Sequence, residues 1–276
     1  MRVADEGTEL DRLVQDVQAS VKYRDVCADL IRRIGAQELY KRRKFKEAVK
    51  STRNKLHQVA GAYLVTGGHE PYTGWLSALA QAAETGKVEE LRQACQQIMS
   101  NHTSTRERLP ILDTFYTTLL AELAPVHSVL DLACGLNPLA IPWLPLAPGA
   151  RYYACDIYVR MMAFLHDAMQ LMGVPGQAWA GDILQSTPQQ EVDVAFLLKI
   201  IPCLEQVDKQ AGYQLLRAVR ARHLVVSFPL HSLGGHSKGM LSNYERHFRE
   251  LLAAEPWSWR RYEFASELVF VVSKEQ

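Results

Sequence analysis

The sequence predicts an α/β protein in which an all-α amino-terminal region precedes a mostly parallel β-sheet that closes in an antiparallel hairpin. Three observations predict it. Apolar residues recur at helical spacing up to about residue 122, with no strand alternation. After residue 125, short apolar runs alternate with helical or turn segments, the signature of parallel strands joined by right-handed crossovers. The last two runs are separated only by Ala265 and Ser266, too few residues for a crossover.

In chain order, the helical segments are residues 10–21, 26–39, 48–63, 75–83, 88–99 and 109–123. The strand segments are 127–133, 151–157, 177–181, 192–198, 223–228, 259–264 and 267–272. A Gly- and Pro-rich link over 65–74 separates a basic helical bundle from the rest of the chain. No internal repeat or low-complexity tract interrupts the sequence.

Composition narrows the classes. The chain has 276 residues, 48% hydrophobic and 22% charged, which excludes disorder, collagen and coiled coil as explanations and suffices for a full core without staples. Five cysteines with no close pair fit neither a disulfide framework nor a zinc site, so no metal is expected and a reducing cytoplasm is the simplest location. Residues 1–13 are charged and acidic where a signal peptide needs a basic start and an apolar run, which argues against export. Residues 132–150 lack Lys, Arg, Asp and Glu, but Pro138, Pro142, Pro145 and Pro148 make that stretch loop and broken helix, and no membrane partner is expected.

The near-neutral total hides an asymmetry. Residues 32–55 carry ten basic side chains (Arg32, Arg33, Lys41, Arg42, Arg43, Lys44, Lys46, Lys50, Arg53 and Lys55) against Glu38 and Glu47, a net +8 that leaves −7 for the remainder of a chain whose total is +1. Such a segment either attracts a polyanion such as nucleic acid or is a solvated helix face that keeps the protein soluble.

Chemistry concentrates at the ends of the first three strands. The first ends Val129-Leu-Asp-Leu-Ala-Cys-Gly-Leu-Asn-Pro138, where Gly135 allows close approach of backbone to a ligand. The pattern is not GxGxxG, and Pro138 stands where a phosphate-binding helix would begin, so a pyrophosphate cradle is not expected. Asp156, twenty-one residues after Gly135, ends the second strand, where an acidic residue can bind both ribose hydroxyls. Asp182 follows the third strand and can accept from an adenine amine while Ile183 covers the ring. Singly each aspartate is as readily a helix cap or turn residue; together, beside a glycine turn, they favour an adenosine-type ligand. A nucleoside site without a pyrophosphate loop is what S-adenosylmethionine requires.

The chain resembles the 16S ribosomal RNA (guanine-N7) methyltransferases of the aminoglycoside-resistance family. The resemblance runs from about residue 20 to the end and is carried by Val21-Lys-Tyr, Ile31-Arg-Arg33, His57-Gln-Val-Ala-Gly-Ala-Tyr63, His102-Thr-Ser-Thr-Arg-Glu-Arg-Leu109, Asp131-Leu-Ala-Cys-Gly-Leu-Asn-Pro-Leu139, Leu198-Lys-Ile-Ile-Pro-Cys-Leu-Glu205, Ser227-Phe-Pro, Ser232-Leu-Gly-Gly, Ser237-Lys-Gly-Met240 and Glu267-Leu. Departures fall at Ile157, Tyr158, Ile200 and Ile201, none a charged or glycine position.

The resemblance implies a Rossmann-like class I methyltransferase sheet with an antiparallel terminal hairpin over 101–276, preceded by a basic all-α RNA-binding domain over 1–100. It implies S-adenosyl-L-methionine as cofactor, S-adenosylhomocysteine as product, and the 16S rRNA of the 30S subunit as substrate, met by a monomer. It places His102, Thr103, Ser104, Arg108, Ala133, Gly135, Asp156, Asp182, Ile183 and Leu198 around the cofactor, with Arg108 on the methionine carboxylate. Without the family, Arg108 reads as a surface arginine. Lys199, after the fourth strand, is a positioning candidate near the target nucleotide, or else an edge-of-sheet lysine kept for solubility. The ten basic residues of 32–55 and Lys238, in a glycine-rich loop over the site, are the expected RNA contacts. Guanine N7 has a lone pair and no proton to lose, so no general base or nucleophile is expected, and Cys134 reads as a packing residue. Open alternatives are methylation of another base and an RNA-binding assembly factor without activity; a nicotinamide dehydrogenase fits least, lacking its phosphate loop.

Overall fold

A computed structural model describes residues 2–59, 71–206, 208–230 and 239–274, with side chains described from residue 8 onward except at 59. The strands are β1 (Val126–Leu132), β2 (Leu146–Asp156), β3 (Gly176–Ala180), β4 (Val192–Leu198), β5 (Ala221–Pro229), β6 (Ser258–Glu263) and β7 (Glu267–Ser273). They form one seven-stranded sheet in the order β3-β2-β1-β4-β5-β7-β6. The first five pair in parallel, and β7 runs antiparallel between β5 and β6, which is the expected Rossmann-like class I sheet with its terminal hairpin.

Both faces of the sheet are covered, which is why β4 is apolar at nearly every position. Val194, Phe196 and Leu198 face one core, with α7 (Leu112–Leu120), α8 (Val159–Leu171) and the amino-terminal helices. Ala195 and Leu197 face the other, against α9 (Ile201–Glu205), α10 (Ala211–Ala218) and α11 (Met240–Leu252). There Phe248 stacks on Phe270 with ring centroids 3.9 Å apart.

The amino-terminal helices are α1 (Arg2–Gln18), α2 (Ala28–Lys41), α3 (Phe45–Val59), α4 (Tyr72–Glu84) and α5 (Val88–Met99). The first three pack together around Leu13, Val17, Ile31, Ile34 and Leu56. By contrast, α4 and α5 lie on the sheet layer: Tyr72 and Trp75 pack on Phe164 of α8, and Arg92 donates to the Pro142 carbonyl from Nε and Nη2 at 3.2 and 2.9 Å. Packing therefore groups residues 72–99 with the sheet, although a division at residue 100 assigns them to the basic helical domain. The Gly/Pro link over 65–70, and residues 60–63 of the expected third helix, lie outside the described residues.

Two elements differ from the sequence expectation. The single helix expected over 109–123 is a 3₁₀ turn at Leu109–Ile111 followed by α7, with an unexpected short helix α6 (Thr103–Arg108) before it, because Pro110 lacks a donor and sits at the start of a new turn. Strand β2 begins at 146, not 151; Val126 pairs with Leu146 and Ser128 with Arg151, so residues 147–150, Pro148 and Gly149 included, bulge out of register. The proline-rich stretch 137–143 is a 3₁₀ helix, and no helix among the described residues is long and apolar enough to cross a membrane.

A short antiparallel bridge fixes α2 to the sheet's carboxyl edge. The Cys27 N–H donates to the Ile157 carbonyl and the Val159 N–H to the Asp25 carbonyl, each at 2.8 Å, around the Val26–Tyr158 pair.

Gly176 shows how closely β3 is set on β2: its φ is +152° and a Cβ there would lie 1.8 Å from the Tyr152 carbonyl oxygen. Gly176→Ala must push the backbones apart and is expected to lower unfolding stability in urea by on the order of 3 kcal/mol. Gly86→Ala, also at positive φ but facing open space, is expected to cost about 1 kcal/mol; equal losses would contradict this account.

Candidate cofactor pocket and the polar floor beneath it

The strand order reverses between β1 and β4, and a cleft of about 840 Å³, its open mouth included, lies at their carboxyl ends. Two residues there adopt left-handed backbone without being glycine: Ala133 (φ +52°), just past β1, and Lys199 (φ +61°), just past β4. Such conformations are costly for side-chain-bearing residues, and they turn both residues into the cleft wall.

Asp156, at the end of β2, is buried and accepts hydrogen bonds from the Gly135 N–H (Oδ2, 2.9 Å) and the Ile157 N–H (Oδ1, 2.6 Å). Burial raises its pKa, and backbone donors at Gly135, Ile157 and Tyr158 oppose that rise. These donors fix the carboxylate at the cleft wall and leave it acceptor capacity for a ribose hydroxyl. Asp182 is buried at the far end of the cleft, beside Ile183 and Leu184.

Of the residues expected around the cofactor, the cleft brings together His102, Ser104, Ala133, Asp156, Asp182, Ile183 and Leu198. Gly135 acts through its N–H and its missing side chain, since a Cβ there would meet the His102 ring at 2.6 Å. Thr103 is half-buried on α6 and does not line the cleft. Two acceptors spaced along apolar walls, with no phosphate cradle, match the donor pattern of an adenosine bearing an amino-acid tail.

Arg108 is buried beneath the cleft. It is neither a surface residue nor a cleft wall: it is 1% exposed, and its guanidinium is engaged below the cleft by Glu267 (Nε to Oε1, 2.8 Å; Nη2 to Oε2, 3.0 Å) and by Asn137 Oδ1 (2.8 Å). Asn137 donates onward to Asp131 at 2.8 Å and also accepts from Tyr116, while Tyr152 donates to the same Asp131 oxygen at 2.7 Å. Ser227 donates to Glu267 at 2.7 Å.

Lys199 is equally far from a solubilising edge residue. It leaves the central strand, is buried, and its Nζ reaches Glu107 (2.8 Å), Glu267 (3.3 Å) and the Ser104 carbonyl (3.4 Å), so its charge is satisfied inside the protein rather than offered to a phosphate. Burial raises the Glu267 pKa, but Arg108 and Lys199 outweigh it and hold the carboxyl below the usual range.

The basic segment divides in the same way. Arg33 lies in the cleft wall, paired with Asp182, not on the outer face. Arg42 and Lys55 flank the buried Glu38 at 2.9 and 2.8 Å, Arg53 donates to the Asp16 carbonyl, and Arg32 pairs with Asp11. Lys44 makes a loose pair with Glu47 at 3.6 Å. Lys41, Arg43, Lys46 and Lys50 are exposed and form no ion pair among the described residues. Lys238 and the loop 232–238 lie outside the described residues. All five cysteines are buried free thiols; Cys134 sits 3.9 Å from the Met162 sulfur, its pKa pushed up by burial.

Reasoning from the sequence missed Leu30, Arg33, Gly181, Leu184, Cys203 and Leu204 in the cleft, and the role of Glu267 beneath it. One signal was available: Arg33 shares a helical face with the apolar Leu30, three residues earlier, where a solvated arginine is out of place.

His102 gives this site a pH signature. Burial, then Arg108 and Lys199, lower its pKa from 6.5 to about 4. A base with a depressed folded-state pKa contributes stability that is complete above the unfolded value and is lost as pH falls through the folded value. Wild type is therefore expected to lose on the order of 3 kcal/mol relative to His102→Asn between pH 6.5 and pH 4; taking the difference between the two proteins removes the other carboxylates. A constant difference across that range would contradict the burial argument.

The family model described as Ribosomal RNA methyltransferase (FmrO) matches residues 19–271. A 16S rRNA (guanine(1405)-N(7))-methyltransferase of Micromonospora rosea is 36% identical over 266 residues, spanning 96% of this chain and 97% of that protein. A protein of the same name from Serratia marcescens is 32% identical and covers 94% and 96%. Among solved structures, the 16S rRNA methyltransferase RmtF in complex with S-adenosyl-L-homocysteine aligns with a TM-score of 0.81 at 31% identity, over 97% of this chain and 98% of that one. The fold, the donor set of the cleft and the match along nearly the whole length agree, and the chain belongs to the FmrO family of ribosomal RNA methyltransferases.

Proposed function

We propose that the protein transfers a methyl group from S-adenosylmethionine to N7 of a guanine in the 16S rRNA decoding site of the 30S subunit, and so gives resistance to kanamycin- and gentamicin-class aminoglycosides. The observation that carries this reading is the pair of buried acceptors, Asp156 and Asp182, at successive strand ends in a chain whose relatives are named for that reaction.

When bound, S-adenosylmethionine supplies an electrophilic methyl group on a sulfonium. Asp156 holds the ribose, Asp182 the adenine amine, and Ile183 and Leu198 cover apolar surface. Guanine N7 offers a lone pair and has no proton to lose, and the sulfur–methyl bond that would break leaves a neutral thioether, so the chain needs no base and alignment would supply the rate enhancement. Arg108 and Lys199 act from the floor: they hold Glu267, Glu107 and the turn after β4 in place and shape the wall that the methyl donor meets. The target base must leave its stack to reach the cleft, at a cost of a few kcal/mol. The added charge and methyl group on the guanine edge oppose polycationic drugs by repulsion and by loss of a hydrogen-bond acceptor.

The exposed Lys41, Arg43, Lys46 and Lys50 supply the cationic face for the rRNA backbone, and the enzyme acts as a monomer in the cytoplasm. Incubation of the protein with 30S subunits and labelled S-adenosylmethionine, followed by reductive cleavage at 7-methylguanosine, is expected to map one decoding-site guanine. Label at another base, or none, would overturn the assignment. Lys46→Ala combined with Lys50→Ala is expected to weaken subunit binding and to lower the slope of log affinity against log salt by about one for each phosphate left unneutralised. S-adenosylhomocysteine affinity should be unchanged in that variant.

A further inference from the structure

Asp182, the adenine-edge acceptor, takes its charged partner from α2, a helix whose sequence reads as RNA-binding. Arg33 Nε donates to Asp182 Oδ2 and Nη2 to Oδ1 at 3.3 Å, while the Leu184 N–H donates to Oδ1 at 3.1 Å. The Arg33 side chain is 20% exposed, against 43% for Arg32 beside it, and it lines the cleft together with Leu30 one turn earlier. The bridge between residues 25–27 and 157–159 anchors the start of α2 to the turn after β2, and Ile157 and Tyr158 of that turn line the same cleft.

We propose that Arg33 is a positioning residue for cofactor recognition: its guanidinium fork fixes the Asp182 carboxylate in the orientation that reads the adenine amine, and thereby makes the basic helical unit part of the cofactor site. This deepens the methyltransferase reading and rests on it. A carboxylate gripped on both oxygens cannot rotate about its terminal torsion, so the acceptor that remains on Oδ2 points in one direction. Released from the fork, the carboxylate can turn to satisfy other donors, and binding then costs the ordering that Arg33 has already supplied. Selectivity falls with affinity, because a turning carboxylate can accept instead from the N1–H that a 6-oxo purine carries beside its oxygen.

The test is calorimetry on the whole protein without RNA, using S-adenosylhomocysteine and its 6-oxo analogue S-inosylhomocysteine, with thermal melting to follow the fold. Arg33→Ala is expected to weaken S-adenosylhomocysteine by about tenfold and to shrink the preference over the 6-oxo ligand. Arg33→Lys, which keeps the charge and loses the fork, is expected to fall between. If Arg33→Ala does not fold, the preference ratio of Arg33→Lys decides alone: a ratio equal to wild type overturns the proposal. An affinity for S-adenosylhomocysteine unchanged in Arg33→Ala, or an equal loss for both ligands, also overturns it and leaves the enzyme assignment standing. A wild-type protein that binds neither ligand overturns both.

Discussion

Glu267 is the charge around which the catalytic half is assembled. It is wholly buried at the start of β7, and it is compensated by a bidentate Arg108, by Lys199 and by the Ser227 hydroxyl. Such a carboxylate is expensive to take out of water and is retained only with well-placed partners; removing one partner of a buried pair costs on the order of 3–5 kcal/mol. The partners come from three separate places, α6, the turn after β4 and the end of β5, and Arg108 extends the network through Asn137 and Asp131 to the 3₁₀ segment and β1. Segments that stand far apart in the chain and carry the family resemblance, 102–109, 131–139, 198–205, 227–229 and 267–268, thus meet in one polar network.

That network explains the shape of the cleft above it. The left-handed turn at Lys199 is held by the groups around it: Lys199 donates its N–H to the Ser227 carbonyl at 3.0 Å and sends its amine to Glu107 and Glu267. The end of β4 at the switch point is thereby tied to the buried floor, on the wall that Asp156 and Asp182 share with it. A reaction with no proton to move depends on such rigidity more than on any single reactive side chain.

The sequence read most clearly where structure is local. Alternating apolar runs located all seven strands, the two-residue gap located the hairpin, and the aspartates at the ends of β2 and β3 fall in the cleft with Asp156 bound to the turn glycine. What could not be read was partnership across long separations. Arg108 and Glu267 are 159 residues apart, Arg33 and Asp182 are 149 apart, and nothing in the local pattern of Arg108 says that it faces inward. Counting charges assigned Arg33 to RNA, and the sequence without the family made Arg108 a surface arginine, while the fold pairs Arg33 with Asp182 and Arg108 with Glu267. The same limit applies to Glu38, which draws Arg42 and Lys55 into a buried cluster and leaves a smaller cationic face than the raw +8 implies.

The central claim is that a nucleoside is read by Asp156 and Asp182 over a floor that stays closed. A crystal structure of the protein with S-adenosylhomocysteine tests it most directly. The account predicts ribose hydroxyls on Asp156, the adenine amine on Asp182, and Arg108 still bidentate on Glu267 beneath the ligand. An adenosine seated elsewhere in the cleft, or an Arg108 guanidinium drawn off Glu267 onto the ligand's carboxylate, would contradict it.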